Sequence, residues 1–241
     1  VMFRTPAAII PGLLISGFFL FVYEASLGNA SNFLPGLAGK SYLAFILPLS
    51  IVSSALSGAS LAGEAIVRDI ENGYFNKLLL TPVSRGALLL GPMIAGALVL
   101  VLQTAVVMGV GLLMGLQSAT GAAGILAVMG MALLLGIGFS GFTVGVALRT
   151  GSGAATTGAG FMFFPLSFLT ATFVPLSLLS GWIKTAATYN PITYLLEAMR
   201  SVLLTGWEAD TLARGLAACL ALGVVMFVFA LVSLRARTRQ K

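Results

Sequence analysis

The sequence contains no histidine, one cysteine and few charged side chains. Of its 241 residues, 13 are Lys or Arg and 7 are Asp or Glu, so only 8% are charged, whereas 59% are hydrophobic. An average soluble domain is about 25% charged, so this composition excludes a water-soluble globule, a disordered chain and a coiled coil. With Cys219 alone, no intrachain disulfide can form. Because histidine is the commonest catalytic base and metal ligand, we also predict no metal site.

The sequence is instead dominated by uncharged apolar runs of membrane-spanning length. A spanning helix needs about 20 such residues. The runs predict an all-α polytopic membrane protein, a single transmembrane domain over residues 1–241 with six transmembrane helices, at about 7–23, 42–66, 86–116, 122–148, 154–180 and 212–234. Pro165 and Pro175 are expected to kink or end the fifth. A cleaved signal peptide is the alternative interpretation of the first run. Gly141 and Gly145, at small-xxx-small spacing, predict close helix packing inside the bundle.

The positive charges predict the orientation. With both termini in the cytoplasm, the inner side carries nine: Arg4, Arg68, Lys77, Arg85, Arg149, Arg235, Arg237, Arg239 and Lys241. The outer side then carries four: Lys40, Lys184, Arg200 and Arg214. This inner excess favours cytoplasmic termini. Since the basic residues lie at the ends of apolar runs rather than in one dense stripe, a nucleic-acid partner is not expected, and the basic tail at 235–241 indicates contact with membrane lipid.

The motifs that could carry catalysis are incomplete. Residues 138–141 read Gly-Phe-Ser-Gly, as in intramembrane serine proteases, but that chemistry requires a histidine to accept the hydroxyl proton. No phosphate-binding GxxxxGK[ST] loop is present. Glu64 and Arg68 are four residues apart near the predicted inner boundary, where an ion pair is favoured over a proton relay. The chain is therefore predicted not to be an enzyme, and a gradient-driven carrier is disfavoured.

The connection after the second predicted span has the pattern of a short amphipathic helix over residues 71–80. Its apolar residues Tyr74, Phe75, Leu78 and Leu79 recur at helical spacing. Pro82 is expected to end it, and Ser84 to cap the helix that follows. Two interpretations remain open: a helix resting on lipid, or one that docks into a cytoplasmic partner.

A second semi-polar segment, residues 181–206, precedes the last span. Asn190 and Pro191 have the types expected at the N-cap and first position of a helix, and Glu197 and Arg200 are three residues apart, as in an ion pair. About 15 residues of helix are too short to cross the bilayer, so a re-entrant or interfacial helix is predicted.

Three blocks, in this order, resemble the permease subunits of the ABC-2 type exporter family. They are VRDIENGYFNKLLLTPVSR at 67–85, FVPL at 173–176 followed by Gly181 and Trp182, and NPITY at 190–194 followed by EAMR at 197–200. Within the family, the TPVSR string is most similar to daunorubicin-resistance-type drug exporter permeases.

The resemblance implies a permease that pairs with a second permease copy or homologue and with separate ABC-type ATP-binding subunits, in a bacterial plasma membrane. It implies no cofactor in this chain, because ATP and Mg would bind the partner. The coupling segment would include Glu71, Gly73, Tyr74, Phe75, Lys77, Leu78 and Leu79. The outer gate would include Asn190, Pro191, Tyr194, Glu197 and Arg200.

The expected substrate is hydrophobic or amphipathic, drug-like or lipid-like, and exported from the cell. Phenylalanines in the first and fifth spans could line its path, although a lipid-facing or core role is an equal alternative; the candidates are Phe18, Phe21, Phe164 and Phe168. Alternatives are export of polysaccharide or another polar polymer, a gradient-driven secondary carrier, and a membrane anchor without transport.

Overall fold

The computed structural model of the protein describes residues 10–27, 41–170 and 176–239. Within these ranges the regular elements are all helical and none is a strand, which confirms the all-α class for the described residues. The helices are α1 (Ile10–Leu27), α2 (Tyr42–Glu71), α3 (Tyr74–Leu79), α4 (Arg85–Leu113), α5 (Gly121–Thr150), α6 (Gly153–Phe161), α7 (Phe163–Phe168), α8 (Gly181–Tyr189), α9 (Pro191–Leu204) and α10 (Ala209–Arg239). A 3-10 turn at Leu176–Leu178 precedes α8.

Four helices, α2, α4, α5 and α10, are long and apolar enough to cross a membrane. They contain 30, 29, 30 and 31 residues. At about 1.5 Å per residue each is roughly 45 Å long, which exceeds the ~30 Å hydrocarbon core. These four coincide with the predicted spans 42–66, 86–116, 122–148 and 212–234, so a multi-pass membrane protein is confirmed.

The other two predicted spans have a different form. The run at 7–23 corresponds to α1, which has 18 residues and starts at Ile10. The run at 154–180 is not one helix but the two short helices α6 and α7. Among the described helices, four rather than six therefore have the length and apolarity to cross.

Pro165 explains where the predicted fifth span breaks. A proline removes one backbone N–H and clashes with the carbonyl four residues earlier, here that of Phe161. The α6 helix ends at Phe161, and α7 restarts at Phe163 with Pro165 in its first turn, where its missing N–H costs nothing. The second predicted breaker, Pro175, lies outside the described residues.

The bundle is built around α2, whose side chains are almost all buried against α1, α4, α5 and α9. Small residues bring the neighbouring backbones together. A Cβ added to Gly136 would lie 2.8 Å from Cα of Ala97, and one added to Gly145 would lie 2.5 Å from the Phe229 ring. Gly141 likewise faces Met226 on α10. The predicted internal packing of Gly141 and Gly145 is confirmed, because only a residue without Cβ permits this approach.

Most of the positive charges of the long helices lie at one end of the bundle, and Arg214 near the start of α10 is the exception among the described residues. This basic end is formed by the C-termini of α2, α5 and α10, by α3 and by the start of α4. Its described cations are Arg68, Lys77, Arg85, Arg149, Arg235, Arg237 and Arg239, and its described carboxylates are Glu64, Asp69 and Glu71. The opposite end holds α8, α9 and the α4–α5 connection, where the Ala119 N–H donates to the Leu203 carbonyl at 2.9 Å.

Candidate functional site

The chain makes a sharp corner between α2 and α3 at the basic end. The N–H of Asn72 donates to the Arg68 carbonyl at 3.0 Å, which closes the last turn of α2. Gly73 then adopts φ 69°, in the left-handed region that favours glycine, and α3 starts at Tyr74. The predicted helix at 71–80 is thus shorter than expected, because Glu71 belongs to α2 and Gly73 interrupts the helical path.

One side of α3 is anchored in the bundle. Phe75 is 1% exposed and packs in a cluster with apolar residues of α2, α4, α5 and α10, among them Ile66, Leu89 and Leu148. Leu78 and Leu79 are half-buried. Burial of a large aromatic side chain contributes about 2–3 kcal/mol, so Phe75 fixes α3 on the bundle rather than presenting a side chain to its surroundings.

The other side of α3 is exposed. Tyr74 is 53% exposed, Leu80 is 87% exposed, and Lys77 projects between them. Aromatic side chains such as Tyr74 are enriched at protein–protein interfaces. We name Tyr74, Lys77 and Leu80 the α3 surface.

The loop from α3 to α4 is held by local hydrogen bonds. Thr81 Oγ1 donates to the Leu78 carbonyl at 2.6 Å, and Ser84 Oγ accepts from the Ala87 N–H at 3.2 Å. The predicted N-cap at Ser84 is confirmed. The α3 helix is therefore joined to α4 by a short connection with two local side-chain hydrogen bonds.

Glu64 and Arg68 form the ion pair that their spacing allows, with Oε2 of Glu64 3.6 Å from Nη2 of Arg68. Thr157 Oγ1 on α6 also donates to Glu64 Oε1 at 3.2 Å. The carboxylate thus links α2 to α6 near the basic end. Because both Glu64 oxygens contact neighbouring side chains, the carboxylate fits the predicted structural ion pair better than a proton relay.

Two arginines join the ends of α5 and α10, and sequence reasoning missed both contacts. Arg149 Nε donates to Ser233 Oγ at 3.0 Å, and its Cζ lies 4.9 Å from the Phe229 ring centroid. Arg237 Nη1 donates to the Leu148 carbonyl at 2.9 Å, at the C-terminus of α5. An arginine satisfies an otherwise unpaired carbonyl at a helix end, so the basic tail also stabilises the bundle.

At the opposite end, Asn190 connects three helices. Its Oδ1 accepts from the Ile192 N–H at 3.0 Å, which caps α9 with Pro191 at the first position, as predicted. Its Nδ2 donates to the carbonyls of Leu166 at 2.8 Å and Leu169 at 3.0 Å, at the end of α7. Tyr194 OH donates to the Thr188 carbonyl of α8 at 2.7 Å. The predicted gate residues therefore fix the α7, α8 and α9 helices relative to one another.

Arg200 connects α9 to α2, a contact that the sequence did not indicate. The side chain is almost fully buried, Nε donates to the Phe45 carbonyl at 2.9 Å, and Cζ lies 3.6 Å from the centroid of the Phe45 ring. The residues are 155 positions apart, so no local spacing could have predicted their approach. Glu197, the partner predicted from spacing, is half-buried one turn earlier on α9.

Phe18 and Phe21, the two substrate-path candidates on α1, lie on the outside of the chain. Phe18 is 64% and Phe21 is 54% exposed, while Ser16 and Leu20 face α2, where Ser16 Oγ hydrogen-bonds Ser54 Oγ. The side chains of the other two candidates, Phe164 and Phe168, lie outside the described residues.

Comparison with known proteins identifies the family to which this chain belongs. The family model for the ABC-2 type transporter matches residues 1–204, and the chain belongs to that family. A probable doxorubicin resistance ABC transporter permease, found in two strains of Mycobacterium tuberculosis, is 25% identical over 203 residues, covering 84% of this chain and 72% of the relative. A transport permease of Cyanophora paradoxa is 26% identical over 199 residues, covering 82% and 68%. The chain is thus an ABC transporter permease, a membrane component whose ATP hydrolysis belongs to separate subunits.

Proposed function

We propose that this chain is the transmembrane permease subunit of an ATP-driven exporter that moves a hydrophobic or amphipathic, drug-like or lipid-like compound out of the cell. The observation that carries the proposal is α3, a short helix anchored by buried Phe75 and displaying the α3 surface outside the bundle. The doxorubicin resistance named in one relative supports the substrate class. The apolar character of the long helices supports a hydrophobic cargo over a polar polymer.

In this proposal α3 is the coupling helix that contacts the ATP-binding subunit. The α3 surface, Tyr74, Lys77 and Leu80, would contact the ATP-binding subunit. The side chains that hold α3 on the bundle are Phe75, Leu78 and Leu79. Gly73 forms the turn between α2 and α3. ATP and Mg bind the partner, where closure of the ATP-bound subunits would displace α3. If ATP binds one of two conformations of the transporter more tightly, it can drive movement only through an element, here α3, whose position differs between those conformations.

The α2 helix is proposed to carry this displacement across the membrane. Its C-terminus leads into α3, and near its other end Phe45 is held by Arg200 of α9. Asn190, Pro191, Tyr194 and Glu197 lie on or next to α9, which we propose as part of a re-entrant outer gate. Because α2 is attached to α3 at one end and to α9 near the other, displacement of α3 would be passed along α2 to α9.

The proposed topology has six crossings in a single domain over residues 1–241, with both termini in the cytoplasm of a bacterial cell and the protein in its plasma membrane. The four long helices would supply four crossings, and α1 would supply a fifth. The segment that contains α6 and α7 would supply the sixth, and α8 and α9 would form the re-entrant segment that follows it. The charge of the basic end supports this orientation, because cationic residues concentrate on the cytoplasmic side.

The exporter is proposed to contain two permease chains and two ATP-binding subunits. The exposed side of α1, with Phe18 and Phe21, would face the second permease and border the substrate path, to which Phe164 and Phe168 are also assigned. The α1 helix supports this because its apolar side chains Leu14, Phe18 and Phe21 are exposed.

The test is capture of the ATP-binding subunit encoded next to this chain by tagged permease in detergent. Tyr74→Ala is expected to weaken capture by roughly tenfold or more, because exposed aromatic anchors dominate interfaces. Tyr189→Ala is the matched control, since Tyr189 is 84% exposed at the opposite end. Equal capture by the two variants and the wild type would exclude α3 as the coupling element.

Transport is measured with both subunits in vesicles. Efflux of an amphipathic cation such as doxorubicin should require ATP and be lost in the Tyr74→Ala variant. Efflux that persists without ATP and follows a proton or sodium gradient would instead identify a secondary carrier.

A further inference from the structure

A groove opens at the basic end between α3, the start of α4 and the last turns of α10. It encloses about 300 Å³ and is lined by Phe75, Asn76, Leu78, Leu79, Val83, Arg85, Leu88, Arg237 and Thr238. We name it the basic groove. None of these described lining residues carries a carboxylate, whereas Arg85 and Arg237 each carry a positive charge.

The chemistry of the basic groove is divided between an apolar wall and a cationic rim. Phe75, Leu78, Leu79 and Leu88 form apolar surface. Arg85 contributes an exposed guanidinium at the first position of α4. Two arginines that line one recess suit a phosphate group, which accepts the paired N–H donors of a guanidinium.

Arg237 lines the groove and is held at the C-terminal end of α5. Its Nη1 donates to the Leu148 carbonyl at 2.9 Å, which holds the guanidinium in place. A guanidinium has five N–H donors, and this bond uses one of them. The contact therefore orients Arg237 and leaves it donors for a ligand.

The groove lies where the long apolar helices end. Leu88, in the second turn of α4, leads from the groove toward the membrane-embedded part of that helix, and α5 lies between α4 and α10 along the bundle. A ligand with both a phosphate and an acyl chain fits this combination of rim and wall. A hydrophilic acidic peptide would leave the apolar wall uncovered.

We propose that the basic groove binds the phosphate headgroup of an anionic phospholipid, with Arg85 and Arg237 as its ligands and an acyl chain against Leu88. Because α3 forms one wall, bound lipid would also stabilise the position of α3; this second consequence rests on the proposed coupling function, whereas the binding site does not.

The test is native mass spectrometry of the purified permease chain alone, in detergent, with added phosphatidylglycerol or phosphatidylcholine. Detergent removes the charged bilayer surface, so retained lipid reports individual sites. Since each basic residue contributes roughly a fivefold affinity change toward acidic lipid, Arg85→Gln should weaken phosphatidylglycerol retention about fivefold, and Arg85→Gln with Arg237→Gln about 25-fold. Phosphatidylcholine should be retained weakly by all forms.

The matched control is Arg235→Gln with Arg239→Gln, which removes the same charge from the same turns of α10 outside the groove. Retention close to wild type in this control supports a built site, and a loss equal to that of the groove variant would overturn it. Arg85→Gln alone keeps the Arg237 contact with Leu148, so its result does not depend on that contact to the bundle.

Two further arms separate the sources of the anion. If millimolar inorganic phosphate displaces phosphatidylglycerol completely, the groove is a free-anion site and the lipid proposal fails. If the groove variants keep their lipid but no longer capture the ATP-binding subunit, the groove serves an acidic segment of that partner, and the lipid proposal fails as well.

The coupling consequence is measured separately, as ATP hydrolysis of the complex in nanodiscs of phosphatidylglycerol or phosphatidylcholine. Stimulation by phosphatidylglycerol should be lost in Arg85→Gln. Lipid retention by the permease with no effect on hydrolysis would refute the coupling role while leaving the binding site established.

Discussion

Cζ of Arg200 lies 3.6 Å from the centroid of the Phe45 ring, and its Nε donates a 2.9 Å hydrogen bond to the Phe45 carbonyl. One side chain thus contacts both the ring and the backbone of a single residue near the start of the central helix α2. The contact joins α9 to α2 inside the bundle. Loss of this contact would leave the buried Arg200 guanidinium with fewer interactions to offset the cost of its burial.

We expect the two residues to be coupled in a double-mutant cycle. Arg200→Lys loses the planar stacking and the Nε bond, and Phe45→Leu loses the ring. Each change should lower the free energy of unfolding by about 1–3 kcal/mol, with a coupling energy of about 1 kcal/mol or more in the double variant. Thermal unfolding in detergent measures this. Additive single effects would mean that the two side chains do not interact.

The control for this cycle is Arg214→Lys. Arg214 is exposed and paired with Asp210 at 2.7 Å within one helix. Exposed pairs of this kind contribute about 0–1 kcal/mol, so this change should have a small effect.

Gly145→Val should destabilise the contact between α5 and α10. A Cβ there would lie 2.5 Å from the Phe229 ring and 3.4 Å from Cα of Ala230, so the helices must separate. Overpacking of this kind costs about 1–3 kcal/mol. Gly130→Val is the matched control on the same helix, because a Cβ at Gly130 has no neighbour within 4 Å. Melting temperatures that fall equally in both variants would contradict the packing account.

Gly73 tests whether the α2–α3 corner matters for function. At φ 69° a β-branched residue is strained by about 1–2 kcal/mol, while asparagine tolerates this region. A Cβ at Gly73 has no neighbour within 4 Å, so the strain is confined to the backbone. We expect Gly73→Val to reduce stimulation of the partner's ATP hydrolysis and Gly73→Asn to retain most of it. Full stimulation in the valine variant would show that the corner tolerates another geometry.

Asn190→Asp separates the two roles of Asn190. A carboxylate can still accept from the Ile192 N–H, but it cannot donate to the Leu166 and Leu169 carbonyls. Hydrogen exchange should therefore rise at 163–170 and stay unchanged in the first turn of α9, whereas Asn190→Ala should raise exchange in both. Unchanged exchange at 163–170 in the aspartate variant would mean that these donor bonds do not hold α7.

Local features were readable from the sequence wherever a residue acts on its own neighbours. Ser84 and Asn190 cap helices because their side chains reach backbone N–H groups two or three residues on, and the apolar run of each long helix reflects its solvent rather than its partners. The helix break after Phe161 follows from Pro165. The break lies one turn before the proline because the proline ring would clash with the carbonyl four residues earlier.

Contacts between distant residues were not readable in this way. Spacing along one helix favoured Glu197 as the partner of Arg200, and the two charges do interact, but the structure also brings Phe45 to Arg200 from another helix. The coupling segment was expected to start at Glu71, but the left-handed conformation of Gly73 depends on how α2 and α3 pack together.

By itself the sequence determined that this protein is helical and embedded in a membrane, because burial in lipid demands long uncharged runs and places the charges at their ends. Its resemblance to ABC-2 type permeases rests on three motifs and not on this composition. The tertiary structure decided which charges are used to hold helices together. Arg149, Arg200 and Arg237 each engage a residue more than 80 positions away. Such contacts arise only when separate helices pack side by side, since their geometry is set by the bundle and not by neighbours in the chain.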